Sequence, residues 1–255
     1  PLLHPELPEM ISSAKNKGAK VWLNTNGSMF GPDKKGLQRL KKIIDSEVDM
    51  IEFSMDAADA ITYSKLRPPI SGLDPRSIEK RWEDQVNNVR NALKLRNERK
   101  ETATNIVVSM IRQKELGDVE IAERFWREEV KVDNVITRKF LSWDDNTKIN
   151  LDNSIDNNLY NEEINNPQYV ANLSPCVWLF ERLNIDTLGQ FALCGQDISF
   201  TTADKFPTLY ETTIEEVWKS NIFKNYRKAH INGKAGELSP CKNCSAWKAG
   251  VRDWN

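Results

Sequence analysis

Four short β-rich runs, separated by amphipathic stretches of helical period, limit the choice of fold for this chain more than any other feature. "AKVWLNTNG" holds a compact apolar run, Val21 to Leu23, that ends in a polar turn. "DMIEFSMDA", "TNIVVSMI" and "VDNVITRKFL" follow at intervals. Between them, "KKGLQRLKKIIDSEV" puts Leu37, Leu40, Ile43 and Ile44 at helical spacing, and Ser77 to Leu95 does the same with Ile78, Trp82, Val86, Val89 and Leu93. A further helix is expected over "DVEIAERFWREEV", and another before the first run over "LPEMISSAKNKG". Strands near 20–24, 50–54, 105–111 and 133–141 that alternate with such helices imply βα units and a parallel sheet. Hydrophobic residues make up 39% of the chain and eight are tryptophan, enough to build a core for such a sheet; the tryptophans are expected mostly inside.

The pattern changes after residue 145. The stretch 146–172, part of "DDNTKINLDNSIDNNLYNEEINNPQYVAN", is dominated by Asn and Asp and reads as a linker between a βα region, 1–145, and a cysteine-bearing region, 173–255. In the latter, "RLNIDTLGQFALC" reads as two short strands about a turn at Thr187–Gly189. "TTIEEVWKSNIFKNYRKAHING" reads as a helix with a Thr N-cap and a Gly stop.

All four cysteines lie in this last region, spaced Cys176-x12-Gly189-x4-Cys194 and, later, Cys241-x2-Cys244. A Cys-x2-Cys pair offers two thiolates to one centre from a single turn, and a hairpin brings a second pair of thiols back toward it. Four convergent thiolates suit either a [4Fe–4S] cluster or a four-cysteine zinc site, and the chemistry of the ligands does not separate the two. Zinc ribbons use two similar Cys-x2-Cys knuckles, whereas seventeen residues separate the thiols of the first pair here. Buried structural cysteines are the alternative to ligation. Disulfides would need an oxidising compartment, of which the sequence gives no sign.

Beyond spacing, "CVWLFERLNIDTLGQFALCGQD", "TTIEEVWKSNIFKNYRKAH" and "SPCKNCSAW" resemble the C-terminal auxiliary-cluster domain of radical S-adenosylmethionine (SAM) enzymes, the domain type named SPASM. A full SPASM domain has further cysteines soon after its Cys-x2-Cys pair and holds two clusters. Nothing follows Cys244 in that role here, and Gly250 stands near the expected position. The chain therefore resembles the shortened twitch form, in which Cys176, Cys194, Cys241 and Cys244 would hold one auxiliary [4Fe–4S] cluster, as in inosamine dehydrogenase relatives. The N-terminal region is similar to the same family. "PLLHPEL" looks like the tail of a Gly-Gly-Glu-Pro motif that meets the SAM amino group. "LNTNG" and "IEFSMDA" look like the third and fourth barrel strands.

By this resemblance the fold is α/β: a partial (β/α)6 radical SAM barrel, strands three to six, followed by a small twitch/SPASM-like α+β iron–sulfur domain. SAM would be met by Asn24, Thr25 and Ser54 at strand ends, by Arg67 at its carboxylate, and by Leu141 against the adenine. The family's Cys-x3-Cys-x2-Cys loop, which carries a second [4Fe–4S] cluster, has no counterpart in this sequence. It is expected upstream, with Pro1 as the last residue of the Gly-Gly-Glu-Pro motif, and activity is expected to need it.

The expected function is then that of a radical SAM oxidoreductase acting on a small molecule such as a carbohydrate or cyclitol. In this class a 5′-deoxyadenosyl radical removes a substrate hydrogen atom and the auxiliary cluster accepts an electron. A peptide-modifying maturase of the same class is the alternative. A non-catalytic βα protein with structural zinc is the alternative from another class. The expected partners are the substrate and an electron donor such as flavodoxin or ferredoxin, and the expected location is the cytoplasm. With a net charge of -1 and both signs interspersed, no basic stripe for nucleic acid stands out, and no apolar run approaches a membrane span. Asp144, Asp145 and Asp197 are candidate acids. His4 and His230 read as surface residues.

Overall fold

The computed structural model describes residues 1–31, 33–68, 76–99, 103–139, 173–197 and 202–248. It divides into two compact units, Pro1–Lys139 and Phe140–Asn255.

The first unit is the α/β sheet that the alternating pattern implies. Strands β1 (Trp22–Thr25), β2 (Met50–Ser54), β3 (Asn105–Arg112) and β4 (Asn134–Lys139) lie in the order of the chain and pair in parallel throughout. Helix α1 (Leu7–Asn16) precedes β1. The crossovers are α2 (Lys34–Asp45), then α3 (Ala60–Leu66) with α4 (Ile78–Asn97), then α5 (Val119–Arg124). Their starts are set by short polar side chains that take up orphan amides: Asp33 accepts from Gly36 N, Asp59 from Thr62 N, Ser77 from Lys80 N, and Asp118 from Glu120 N and Ile121 N.

Because the strand order never reverses, successive crossovers cover one face of the sheet rather than both. The core confirms this. Leu23, Ile51, Phe53, Ile106, Val108, Met110 and Val135 all point one way and pack with Leu40, Ile43, Ile44, Val86, Val89 and Trp126 from the helical layer. By the period of two along each strand, the opposite face carries Asn24, Glu52, Ser54, Val107, Ser109 and Arg138. One side is thus apolar and helix-covered, and the other is polar.

The expected helix over 118–130 is present but changes form. Its second half, Phe125–Val130, widens into a π turn. The wider turn lets two adjacent aromatic residues face inward together: Phe125 and Trp126 lie 5.8 and 5.7 Å from the Trp82 ring. Trp126 Nε1 donates to Ala57 O at 2.8 Å.

The second unit is small-scale. It holds α6 (Trp178–Glu181), the antiparallel pair β5 (Asn184–Ile185) and β6 (Phe191–Ala192), α7 (Ile214–Trp218), α8 (Asn221–Ile231) and α9 (Ser245–Lys248). Gly189 turns the hairpin with φ +80°, and a Cβ there would sit 3.0 Å from the Tyr210 ring. The helix expected over 212–233 is two helices. Ser220 adopts extended angles and caps α8, its side chain accepting from Phe223 N, so the run breaks at Lys219–Ser220. Thr213 caps α7 in a capping box with Glu216. Among the described residues no helix is long and apolar enough to cross a membrane.

Candidate functional site

The four cysteines come from separate parts of the second unit. Cys176 precedes α6, Cys194 follows β6, Cys241 opens a single 3-10 turn, and Cys244 ends it. Cys176, Cys241 and Cys244 are buried in one apolar cluster with Trp178, Phe191, Phe223 and Trp247, and Cys194 packs against it. None of the four is in a disulfide. Burial pushes the Cys176 thiol up to about 11 and the Cys194 thiol up to about 12. The proximity of Cys244 raises both, so these thiols feel each other's charge.

Desolvated thiols of this kind are poor nucleophiles, which argues against a reactive redox pair. Polar hydrogens nevertheless point at the sulfurs. The backbone amides of Trp178 and Leu179 act against burial by lowering the pKa of Cys176, and Gln196 N donates to Cys194 Sγ at 3.2 Å. His230 Nε2 lies 3.4 Å from Cys241 Sγ. Such donors stabilise thiolate far more than thiol, so their arrangement fits sulfurs that carry charge when a metal centre is bound. As placed, the side chains do not form a closed single-ion shell: among the described residues no three of His, Cys, Asp or Glu stand close enough to hold one metal ion.

His230 is not on the surface as expected. It is 1% exposed, on the buried face of α8 with Phe223 and Tyr226. Burial pushes its pKa down to about 4. Asp197, one of the three candidate acids, is 1% exposed, and its Oδ2 accepts from both the amide and the hydroxyl of Thr202. Asp144 and Asp145, together with Leu141, lie outside the described residues.

In the first unit, the candidate residues gather at strand ends on two sides of the sheet. Asn24 and Ser54 share the polar face, and Ser54 Oγ donates to Asn24 Oδ1 at 3.0 Å. Thr25 faces the helical layer, where its Oγ1 accepts from Gly27 N at 3.1 Å. That turn is held firmly: Asn88 Nδ2 of α4 donates to Gly27 O at 3.1 Å. Gly27 has φ +73°, and a Cβ would come 2.8 Å from the Phe53 ring. Arg67, just after α3, pairs through Nη2 with Asp56, while its buried Nε has no hydrogen-bond partner among the described residues. Asp56 takes a left-handed φ of 55° and also accepts from Ile111 N at 2.9 Å.

The same face carries a larger feature that no local motif announces. Glu52 is fully buried, and Arg138 grips it with both terminal nitrogens, the Nη2–Oε2 distance being 2.9 Å. Asn24 Nδ2 adds a bond to Glu52 Oε1 at 2.9 Å. Ser54, Asn24, Glu52 and Arg138 thus form one hydrogen-bonded chain. The signal was present as two charged residues inside β-rich runs, on the same face by period and register. Two surface grooves along α1 and α2 include Ser12, Lys17 and Lys42, and His4, Gln38 and Arg39, and touch none of these residues.

Comparison with curated proteins finds no match. Among solved structures, the chain is similar to the crystal structure of selenomethionine BtrN in an open conformation. That likeness has 12% identity over 89% of this chain and 92% of that one, with a TM-score of 0.30. The family model described as an iron–sulfur cluster-binding domain, SPASM, matches residues 176–245, a span that contains all four cysteines. That match lies within the second unit, which over these residues is similar to iron–sulfur cluster-binding domains of the SPASM type.

Proposed function

We propose that this protein acts as a radical SAM oxidoreductase whose second unit holds one auxiliary [4Fe–4S] cluster on Cys176, Cys194, Cys241 and Cys244. The observation that carries the reading is the placement of four thiols in and against one apolar core, with Gln196 N donating to Cys194 and His230 Nε2 3.4 Å from Cys241 Sγ, over residues that the SPASM model matches. Bound there, a cluster supplies a one-electron acceptor for an oxidised substrate, and SAM supplies the group that abstracts hydrogen. The chain's own residues do the positioning. Four cysteines leave no ligand place open, which suits electron transfer rather than substrate binding at iron.

In the first unit, the strand-end residues Asn24, Thr25 and Ser54, with Leu141, would bind SAM. Ligands of βα sheets sit at the carboxyl ends of the strands, where Asn24, Thr25 and Ser54 lie. The buried Nε of Arg67, without a hydrogen-bond partner among the described residues, leaves that guanidinium a donor for the SAM carboxylate beside Asp56. The partial-barrel architecture is supported by the one-sided helical layer, since a doubly wound sheet would carry helices on both faces. The polar face would then meet a small polar substrate, a carbohydrate or cyclitol, with flavodoxin or ferredoxin as electron donor.

Anaerobic reconstitution followed by metal analysis tests the proposal. About four irons and four sulfides per chain, with a brown chromophore, are expected from such a centre. One zinc without iron would overturn it in favour of a structural site. A substrate-induced spectral change that reports a new iron ligand would overturn the electron-transfer role alone.

A further inference from the structure

His230 joins the cysteine centre at two of its four corners. Its Nδ1 accepts from the backbone amide of Cys176 at 3.3 Å, and its Nε2 faces Cys241 Sγ at 3.4 Å. The two contacts together fix the tautomer. A ring nitrogen that accepts from an amide bears no proton, so in the neutral imidazole the proton sits on Nε2. Nε2 is then a donor, and the sulfur is its acceptor. The ring has little freedom to do otherwise: it is 1% exposed, and the Trp247 ring meets it edge-on, with centroids 4.6 Å apart. Trp247 is held in turn by its Nε1 donating to Ser174 O at 3.0 Å.

We propose that His230 is a positioning residue of the iron–sulfur centre, donating from Nε2 to the Cys241 thiolate and raising the reduction potential of the cluster. The inference rests on the reading of the four cysteines as cluster ligands. A hydrogen bond to a ligand sulfur grows stronger as the cluster gains an electron, so it favours the reduced form. The two contacts together tie α8, the segment before α6 and the Cys241–Cys244 turn to one ring. An electron acceptor benefits from such a donor, because a higher potential makes the electron easier to take.

The test compares the full chain with its His230→Phe and His230→Gln variants after anaerobic reconstitution. Phe keeps the ring's shape and removes the donor, while Gln keeps an amide N–H at about the same reach. Iron and sulfide analysis is read first. Failure of the wild type to load iron overturns the cluster reading, and this inference falls with it. With loaded proteins, His230→Phe is expected to hold wild-type iron and show a lower midpoint potential, and Gln to recover part of the shift. A wild-type potential in loaded His230→Phe overturns the inference while leaving the cluster reading intact. Should His230→Phe not load, pulsed electron paramagnetic resonance of the reduced wild type with 15N-labelled histidine decides. A weak nitrogen coupling is expected, and its absence overturns the inference.

Discussion

The two units solve the problem of burying backbone in opposite ways. In Pro1–Lys139, four parallel strands and their crossover helices pair most of the backbone within regular elements, and side chains have only to fill the space between layers. Among the described residues of Phe140–Asn255, the strands are two residues long and three of the four α-helices are five residues or shorter. Side chains there do the work that ladders do elsewhere. Arg227 donates to Leu179 O and Trp218 O while its guanidinium lies 4.0 Å from the centre of the Trp218 ring. Gln190 Nε2 serves Phe191 O, Ala203 O and Phe206 O, and Tyr226 donates to Ser239 O. A sheet-and-helix unit carries its order in its backbone, whereas a loop-rich unit depends on cross-links, and the buried thiols belong to the apolar cluster of the loop-rich one.

The sharpest way to break the comparison is to empty the thiol centre. In cluster-loaded protein, chelation of iron or the double change Cys241→Ala with Cys244→Ala should abolish amide-exchange protection around α6 and α8. Protection in β2 and β3 should stay. Hydrogen exchange read by mass spectrometry checks both halves; equal loss in both units would show that the contrast is false.

A smaller effect is expected from Glu52→Ala, which removes the fully buried carboxylate that both terminal nitrogens of Arg138 hold. Loss of one member of a buried pair costs about 3–5 kcal/mol, measurable as a fall in the denaturation midpoint of the first unit. Replacing both charges, as Glu52→Leu with Arg138→Leu, should return much of that stability. The double change thus separates the cost of an orphaned charge from any role of the pair toward a ligand.

The least effect belongs to Asp49. Its carboxylate bonds Lys15 Nζ at 2.6 Å and accepts from Val21 N at 2.7 Å. The Lys15 bond, with the Val21 amide, holds its carboxyl below the usual range. A group depressed in the folded state stabilises above the unfolded pKa, about 3.9, and that contribution is lost as pH falls through the lower folded value. Asp49→Asn should therefore flatten the acid limb of the stability profile by under about 1 kcal/mol, because the pair is partly exposed. A stability loss at neutral pH as large as that of Glu52→Ala would argue that surface and interior charge matter equally in this unit.

Much of the first unit was legible because period and register are local properties. The four expected strands agree with the observed ones to within two residues at either end, since β-branched runs between polar turns leave little choice. The cysteine spacing was legible for the same reason, a hairpin turn being encoded by Gly189. What escaped was pairing across distance. Nothing near Glu52 in the chain announces Arg138, and the two meet only because β2 and β4 belong to one sheet. His230 escaped for another reason. Residue type suggested a surface position, yet Phe223, Tyr226 and His230 are spaced i, i+3, i+7, and that period alone puts the histidine inside. The break at Ser220 was hidden because both halves of the run favour helix, and only the cap at their junction separates them.

The grip of Arg138 on Glu52 also bears on how the sheet assembles. Strand β3 lies between β2 and β4 in the sheet, so the pair spans a strand to which neither residue belongs. A slip of one residue in β2 or β4 would turn that strand's charge into the apolar helical layer and part it from the other ion. The apolar residues of the slipped strand would turn to the polar face in the same step, and the ion pair adds to that penalty. The ion pair makes the wrong alignment strongly unfavourable at a single point, and so works as an error check on the sheet while it forms.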